Sequence, residues 1–402
     1  MNQNHVNYTV QSIAFKKKLL DICRKDAILY SMIQRAHKIR LKPTKAQEQL
    51  LRKTVGAVRY AYNWGLDKWK ELYENGDKTS AYVLSSLWTK ERPDWSREIN
   101  AGTMQHAFMN LQGAYKAFFK HAGKHPRRHK RGRNDSAYFS NQTAHVDGDR
   151  IRIGKAGWVR MTERFRYEDA KINSYVISRV ADKWYVSIQC EILEDVRTDS
   201  TSVVGVDVGI KHWAVASDGT TLDEPKRIKH LQRLLKRRQR LADRKKRGSV
   251  NKRKAYLKVS KLYHRIDNIK KDAIHKFTSN ISKNHGVVVI EDLNVEGMRK
   301  GVKSIRKGVQ NACMGEIHRQ LMYKCNNYIK VDRFFPSSKT CSHCGNIKAD
   351  LSLSDRTYHC HSCGMTIDRD MNAAINLLNE GLRKLSTVGH TVKDCGASTK
   401  DS

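Results

Sequence analysis

Three things are scarce in this sequence of 402 residues: long apolar runs, a secretion signal and acidic side chains. No apolar stretch approaches the ~20 residues that a helix needs to cross a bilayer, which excludes a membrane-spanning segment. The start of the chain lacks the apolar region and the small-residue cleavage site of a signal peptide. We therefore expect a cytoplasmic protein whose cysteines are reduced.

The shortage of acidic residues leaves the chain strongly basic. Aspartate and glutamate number 40 against 77 lysines and arginines, so the formal net charge is +37. Such an excess destabilises a compact chain by self-repulsion unless a polyanion neutralises it, and we expect nucleic acid rather than a membrane surface as the partner. The charge is concentrated in loop 125–133 and in 226–276, where 21 lysines and arginines stand against three aspartates. A solvated face would explain one such patch, but this imbalance exceeds what solubility requires.

Composition changes twice along the chain, which indicates an α/β multidomain protein. Helical periodicity covers 46–120, short alternating strands cover 137–197, and buried strands mixed with helices begin near Val203. Because a strand at 35–41 precedes the helical block, we expect a small β-barrel interrupted by a helical domain. The expected segments are an N-terminal extension (1–31), the barrel (32–45 and 121–197), the helical domain (46–120), an α/β domain (198–340 and 366–385), a cysteine-rich insertion (341–365) and a loose tail (386–402).

Local signals predict where several elements begin and end. Thr44 followed by Gln47 is typical of a capping box at a helix start. Gly248 and Ser249 predict a break that divides 226–276 into two antiparallel helices. Further along, the patterns predict a helix over 311–327 and another over 370–385.

Three carboxylates occupy unusual places in these patterns. Asp207 lies within the apolar strand VVGVDVGI, Glu291 ends VVVIED with Asp292 beside it, and Asp370 opens a helix. Three anions about 5 Å apart would repel by about 3 kcal/mol per pair at an effective dielectric of 20, and divalent cations remove that penalty. Taken separately, Asp207 could be a turn residue, Glu291 a surface charge at a strand end and Asp370 a helix N-cap. Their combination favours a site for hard, oxygen-liganded ions such as Mg²⁺ or Mn²⁺.

The most specific feature is a cysteine cluster. Two Cys-x-x-Cys pairs enclose a 15-residue spacer, which is typical of a structural zinc ribbon with four thiolate ligands: Cys341, Cys344, Cys360 and Cys363. Gly345 and Gly364 follow the two pairs and permit tight turns around the metal. Three histidines lie nearby and could replace a cysteine, but we interpret them as surface residues: His343, His359 and His361.

From Met32 to Leu385 the sequence resembles the TnpB (OrfB) proteins of bacterial insertion sequences, which are related to type V CRISPR effectors. The motifs that carry the resemblance are, in order, RLKPTKAQEQLL, GAVRYAYNWGL, GVDVGIKHWAVASDG, VVIEDLNVEGM, FFPSSKTCSHCG and YHCHSCGMTIDRDMNAAINL. Four of them are linked along the nuclease half, which makes the resemblance highly specific.

The resemblance implies both a fold and an activity. The fold would be an RNase H-like (RuvC) nuclease with an inserted zinc ribbon, preceded by a β-barrel wedge domain that a helical recognition domain interrupts. Family members are RNA-guided DNA endonucleases that use an RNA from the transposon end and require a short motif beside the double-stranded DNA target. The three acidic positions of the family fall on Asp207, Glu291 and Asp370, and the position before Asn-Ala-Ala selects Asp370 over Asp368. We expect one structural Zn²⁺, two catalytic Mg²⁺ or Mn²⁺ ions and a place with the bacterial nucleoid.

Two other functions stay open at this stage. One is a DNA transposase or transposition accessory protein, although the sequence offers no strand-transfer nucleophile distinct from water. The other is a nuclease-inactive RNA-guided regulator, which would be expected to lose one or more carboxylates, whereas this chain keeps all three.

Overall fold

The computed structural model describes residues 30–133, 135–195, 202–300, 303–325, 327–348, 350–352 and 355–394. The chain divides into two units, Met1–Asp195 and Val196–Ser402. The predicted N-terminal extension, 1–31, lies outside the described residues apart from Tyr30 and Ser31, which open the first strand. No helix within the described ranges combines the length and apolar composition of a membrane span.

An antiparallel sheet of seven strands organises the first unit. Its strands are β1 (Tyr30–Lys42), β2 (Ser136–Ser140), β3 (His145–Asp147), β4 (Arg150–Arg152), β5 (Trp158–Met161), β6 (Lys171–Val180) and β7 (Lys183–Asp195). Their order in the sheet is β2-β6-β7-β1-β5-β4-β3. The pairing of β1 with β7 extends from Tyr30 opposite Asp195 to Leu41 opposite Trp184, so the first and last strands of the unit are neighbours.

This sheet curls around its own core. Tyr175 on β6 is fully buried and stacks on Phe139 of β2, with ring centroids 4.7 Å apart. Its hydroxyl donates a hydrogen bond to the carbonyl oxygen of Arg152 on β4 at 3.2 Å. Three strands separate β6 from β4 in the sheet order, so this contact requires strong curvature.

Three helices lie between β1 and β2 in the chain: α1 (Lys45–Glu74), α2 (Ala81–Glu91) and α3 (Ala101–Phe119). The predicted capping box is confirmed at the start of α1. Thr44 Oγ1 accepts the backbone N–H of Gln47 at 3.2 Å, and Gln47 Oε1 accepts that of Thr44 at 3.0 Å. Trp88 and Phe108 are buried in the core that these helices share.

The second unit contains a five-stranded mixed sheet. Its strands are β8 (Val203–Asp207), β9 (Ala214–Ala216), β10 (Thr221–Leu222), β11 (Val287–Glu291) and β12 (Asn327–Val331). In the order β10-β9-β8-β11-β12, strands β8, β11 and β12 are parallel, whereas β9 and β10 are antiparallel to their neighbours. The parallel strands β8 and β11 read as continuous apolar runs because both of their faces are covered.

Helices and a small hairpin complete the second unit. They are α4 (Lys226–Asp243), α5 (Val250–Asn284), α6 (Val295–Lys300), α7 (Lys303–Ala312), α8 (Met314–Lys324), β13 (Thr357–His359), β14 (Thr366–Asp368) and α9 (Arg369–Asp394). The predicted break between α4 and α5 is confirmed, and Gly248 adopts a φ of 83° there.

Two sequence predictions require correction. The single helix expected over 311–327 is wrong, because Cys313 adopts a left-handed backbone (φ 52°) between α7 and α8. Ala312 and Met314 on either side of it are both buried, so the turn lets two short helices pack on the core. The loose tail expected from 386 is also wrong as far as Asp394, where α9 ends. The segment 386–394 contains no proline, so the helix can continue through it, and each added residue gains a helical hydrogen bond.

Two glycines allow α9 to lie directly on the central strands. A Cβ atom added at Gly205 of β8 would stand 2.1 Å from the carbonyl oxygen of Ala374 and 2.6 Å from the backbone nitrogen of Leu378. A Cβ added at Gly381 of α9 would stand 2.3 Å from Cγ2 of Val289 on β11. The Ala374 oxygen and the Leu378 nitrogen are part of the backbone of α9 and cannot move independently of it, so a side chain at Gly205 would displace the helix.

We predict that Gly205→Ala destabilises the protein by about 3 kcal/mol or more, because it overpacks a backbone contact. Gly113→Ala is the matched control. Gly113 lies inside α3 and an added Cβ meets nothing within 4 Å, so this change should stabilise by about 0.5–1 kcal/mol. Chemical denaturation of both variants measures the difference, and equal stabilities would contradict the close packing of α9 on β8.

Candidate active site and metal centre

Asp207 and Glu291 end two neighbouring parallel strands. Ile290 of β11 is paired with Val206 of β8, so the next residue on each strand reaches the same edge of the sheet. Both carboxylates are half-buried. The structure therefore places these two predicted site residues side by side at the carboxyl edge of β8 and β11.

Asp370 joins them from the first turn of α9. It precedes Ala374, whose carbonyl lies against Gly205 on β8, by one helical turn. Burial, together with the nearby carboxylates of Asp370 and Glu291, raises the pKa of Asp207 to about 7. The Arg369 guanidinium acts in the opposite direction. Asp207 is thus linked electrostatically to both other predicted residues, although within the described ranges the oxygen atoms of the three are not gathered as closely as the cysteine sulfurs described below.

Glu291 and its neighbour Asp292 have opposite environments. Burial raises the pKa of Glu291 to about 7. The carboxylate of Asp292 instead accepts hydrogen bonds from Lys330 (3.1 Å) and Arg333 (3.3 Å), and the Lys330 bond is the larger cause of its lowered pKa. Asp292 is therefore a charge-paired residue, whereas the environment of Glu291 beside Asp207 disfavours its charged form.

A similar comparison separates Asp368 from Asp370. Asp368 ends β14, and its Oδ1 accepts the backbone N–H groups of Asp370 (2.9 Å) and Met371 (3.2 Å). These bonds make Asp368 the N-cap of α9. The carboxylate that raises the pKa of Asp207 belongs to Asp370, as expected from the order of the motif.

The four predicted cysteines meet at one point. Their Sγ atoms all lie within 4.8 Å of one another, and no other group of three or more His, Cys, Asp or Glu in the described ranges is gathered in this way. Cys341 and Cys363 are 3.7 Å apart at sulfur, and Cys344 and Cys360 are 3.6 Å apart. Four thiolates at ~2.3 Å from a tetrahedral zinc would be ~3.8 Å apart, so the geometry fits that ion.

Each cysteine pair has the same backbone turn. Gly345 (φ 75°) donates its N–H to the carbonyl of Cys341, and Gly364 (φ 73°) donates to that of Cys360, both at 2.9 Å. The predicted role of these glycines in tight turns is confirmed. No histidine belongs to the cluster: His343 is exposed, and Nδ1 of His359 bonds Thr366 Oγ1 at 2.9 Å.

Two asparagines that the sequence analysis missed connect the cysteine cluster to the helix of Asp370. Asn372 is fully buried, accepts the backbone N–H of Ser342 at 3.0 Å and donates to the carbonyl of Thr340 at 2.7 Å. Asn376 donates to the carbonyls of Ser337 (2.7 Å) and Thr340 (2.6 Å). Polar residues on the buried face of an otherwise apolar helix, at a spacing of four, were the signal available in the sequence.

The chain matches known proteins over nearly all of its length. It is 31% identical to the Escherichia coli K12 protein named "Putative RNA-guided DNA endonuclease InsQ" over 388 residues, which cover 90% of this chain and 94% of the relative. A Streptomyces pristinaespiralis protein named "Putative RNA-guided DNA endonuclease" is 32% identical over 371 residues, which cover 88% of this chain and 91% of the relative. The chain belongs to the TnpB (OrfB) family.

Family models and one solved structure agree with this membership. The OrfB_IS605 model, described as "Probable transposase", matches 187–301, a "Helix-turn-helix domain" model matches 32–78, and "Cas12f1-like, TNB domain" matches 315–377. A cryo-EM structure of a Cas12f1-sgRNA-target DNA complex superimposes with a TM-score of 0.53 at 12% identity, covering 86% of this chain and 98% of that one. The TnpB-family chain therefore shares the Cas12f1 fold.

In this TnpB-family chain the basic residues of α4 and α5 cover an exposed surface. The apolar face of the two helices is buried through residues such as Leu231 and Ile266. A groove between them is lined by Leu234, Arg237, Arg238, Leu241, Lys254 and Lys258. The predicted basic helices thus present their charge outward beside apolar side chains.

The basic loop 125–133 is held on α1. The amide of Asn63 donates to the carbonyl of His129 at 3.1 Å and accepts its N–H at 2.8 Å. The His129 ring stacks on Tyr62 at 3.7 Å, and Arg128 is paired with Asp67. The loop is therefore ordered by contacts that leave its other cations exposed.

Proposed function

We propose that this chain is an RNA-guided DNA endonuclease that hydrolyses phosphodiester bonds at Asp207, Glu291 and Asp370. The observation that carries the proposal is the position of Asp207 and Glu291 at the ends of two paired parallel strands, with Asp370 in the first turn of the helix that packs on them. Two relatives that match almost end to end are named as RNA-guided DNA endonucleases. A chain that conserved only the fold would have no need to keep uncompensated carboxylates together.

The proposed architecture is that of a RuvC-type nuclease. In the second unit the order β10-β9-β8-β11-β12, with three antiparallel strands followed by two parallel ones, is the order expected of an RNase H-like sheet. In the first unit the curled sheet would be the wedge barrel, and α1 to α3 would be the helical recognition domain. The cysteine cluster, inserted between β12 and α9, would be the ribbon that precedes the third acidic motif.

Divalent cations suit the chemistry of this carboxylate group. Asp207, Glu291 and Asp370 offer hard oxygen ligands, which favour Mg²⁺ or Mn²⁺ over softer ions. When bound, two such ions would stabilise the attacking and leaving oxygens of a phosphodiester and activate water. The residues themselves fix the positions of the ligand oxygens on two strands and a helix, and the half-buried edge leaves one side open to a nucleic-acid strand.

Zinc is the ion we propose for the cysteine cluster, and its role would be structural. Four thiolates close the site and leave no open position for a substrate. Through Asn372, which bonds the backbone of Ser342 beside Cys341, the ribbon would also fix the start of α9. The zinc site would thus help to position Asp370.

We predict that the purified protein contains about one zinc per chain and that Cys341→Ser lowers its stability by at least about 2 kcal/mol. Cys313→Ser is the control, because Cys313 lies outside the cluster. Elemental analysis and thermal unfolding measure both quantities. A metal-free protein of undiminished stability would show that the cluster is not a zinc site.

The proposed partners are a guide RNA from the transposon end and a double-stranded DNA target with a short adjacent motif. The phosphate contacts for a large RNA would come from the helices α4 and α5 and from the loop 125–133, and the net charge of +37 suits such a partner. In guided systems base pairing reads the sequence, while the protein reads shape and the adjacent motif. We place the reading of that motif in the first unit.

We predict that the RNA-loaded protein cuts a plasmid that matches its guide and spares a mismatched one, in Mg²⁺ and not in EDTA. Asp370→Asn should slow cutting by roughly three orders of magnitude, because it removes a metal ligand while phosphate contacts elsewhere preserve binding. Asp368→Asn is the matched control two residues away. Asparagine caps a helix as well as aspartate does, so this variant should cut like the wild type.

Other results would favour the other functions. Equal cutting of matched and mismatched plasmids, or cutting without RNA, would leave an unguided nuclease. Guided binding with no cutting by the wild type would indicate a nuclease-inactive regulator. Joining of DNA ends to a new target would indicate a transposase, the activity in the description of the matching family model.

A further inference from the structure

Phe334 is an aromatic side chain that the proposed function has not used. Of the large apolar side chains within the described ranges it is the most exposed, at 85%. Its neighbour Phe335 is half-buried and packs against the cluster of Val289, Val331 and Leu377. Exposure of one apolar ring is ordinary by itself, so its meaning depends on where the ring lies.

Phe334 lies in the loop that leaves the sheet at the edge where the carboxylates lie. Strand β12 is parallel to β11, with Val331 opposite Glu291, and Phe334 follows three residues later. Strand β8, which ends at Asp207, is two strand spacings from β12, ~10 Å in the sheet. Phe334 therefore follows β12 at the same edge of the sheet at which Asp207 and Glu291 end β8 and β11.

The turn that presents the ring is held in place on both sides. Asp332 Oδ1 accepts the N–H of Phe334 at 2.8 Å, and the Asp332 carbonyl accepts that of Phe335 at 3.0 Å. Two residues later, Asn376 of α9 donates to the carbonyl of Ser337 at 2.7 Å. The helix that carries Asp370 thus also anchors the loop that carries Phe334.

The surroundings of the ring suit a nucleic-acid strand better than a protein. Arg333 precedes it and, like Lys330, is paired with Asp292, while Lys384 donates to the Lys330 carbonyl at 3.0 Å. Three cations thus lie near two carboxylates at this corner, those of Asp292 and Asp332. One isolated ring beside cations is too small for an apolar protein interface. An unpaired base offers a flat face to stack on the ring and a phosphate for the cations, without dependence on sequence.

We propose that Phe334 stacks on an unpaired nucleobase next to the scissile phosphate and so positions the single strand over Asp207, Glu291 and Asp370. The inference rests on the proposed nuclease function. It assigns to Phe334 a positioning role, since the ring makes no contact with the carboxylates that would act on the phosphate. The bound base belongs to a displaced DNA strand, because bases within a duplex have no free face.

Single-turnover cleavage of matched DNA by the RNA-loaded protein tests this role. Phe334→Ala should slow cleavage by about 10- to 100-fold, and Phe334→Trp should restore it, because any aromatic ring can stack. Met322→Ala is the control, since Met322 is a 57% exposed apolar side chain of α8 in the same unit, outside the proposed nucleic-acid contacts. Melting temperatures of all three variants should equal that of the wild type.

Abasic substrates separate stacking from a general effect on the loop. An abasic nucleotide is placed at each position beside the cut in turn. At the stacked position it should slow the wild type as much as Phe334→Ala does, and it should slow the Phe334→Ala protein no further. Wild-type rates for Phe334→Ala, or additive losses at every position, would overturn the stacking while leaving the nuclease intact. A wild type that cuts no matched DNA would instead overturn the proposed function itself.

Discussion

Like-charge repulsion among Asp207, Glu291 and Asp370 is the constraint around which the second unit is built. Burial and mutual repulsion raise the pKa of Asp207 to about 7, while Asp292, one residue from Glu291, is paired with Lys330 and Arg333. The chain has cations in excess, yet within the described ranges the ion pairs beside Glu291 are made with Asp292 and not with the three carboxylates. A bound divalent cation relieves such a repulsion more completely than a side chain could, and it adds the chemistry of phosphodiester hydrolysis.

Helix α9 holds this unfavourable arrangement together. The backbone of α9 packs against Gly205 of β8, and Gly381 of α9 packs against Val289 of β11. These contacts hold the helix close to the strands that carry the other two carboxylates. Asn372 and Asn376 fasten the same helix to the loop and cysteine knuckle that precede it. Helix α9 therefore connects the cysteine cluster, the acidic edge and the loop of Phe334, and a change at any of these contacts should reach Asp370.

The sequence was informative where a pattern is local. An apolar run that ends in a carboxylate located Glu291 at a strand end, and the Cys-x-x-Cys spacing located the thiolate cluster. Asp207 was expected within the run VVGVDVGI, but it is the last residue of β8. Contacts between distant segments left no such pattern. The bonds of Asn372 and Asn376 to residues 30 or more positions away depend on tertiary packing that no periodicity records, and so does the left-handed Cys313 that divides α7 from α8. The metal-binding and catalytic roles of the three carboxylates stay predictions.

Thermal unfolding as a function of pH tests most directly whether these carboxylates are uncompensated without metal. The folded-state pKa of Asp207 and Glu291 lies above the unfolded value near 4, so stability present at about pH 4 should be lost as pH rises through about 7. In EDTA, Asp207→Asn should therefore melt above the wild type at about pH 8 and with it at about pH 4, and Mg²⁺ should raise the wild type far more than the variant. Identical pH profiles and no response to Mg²⁺ would contradict the account.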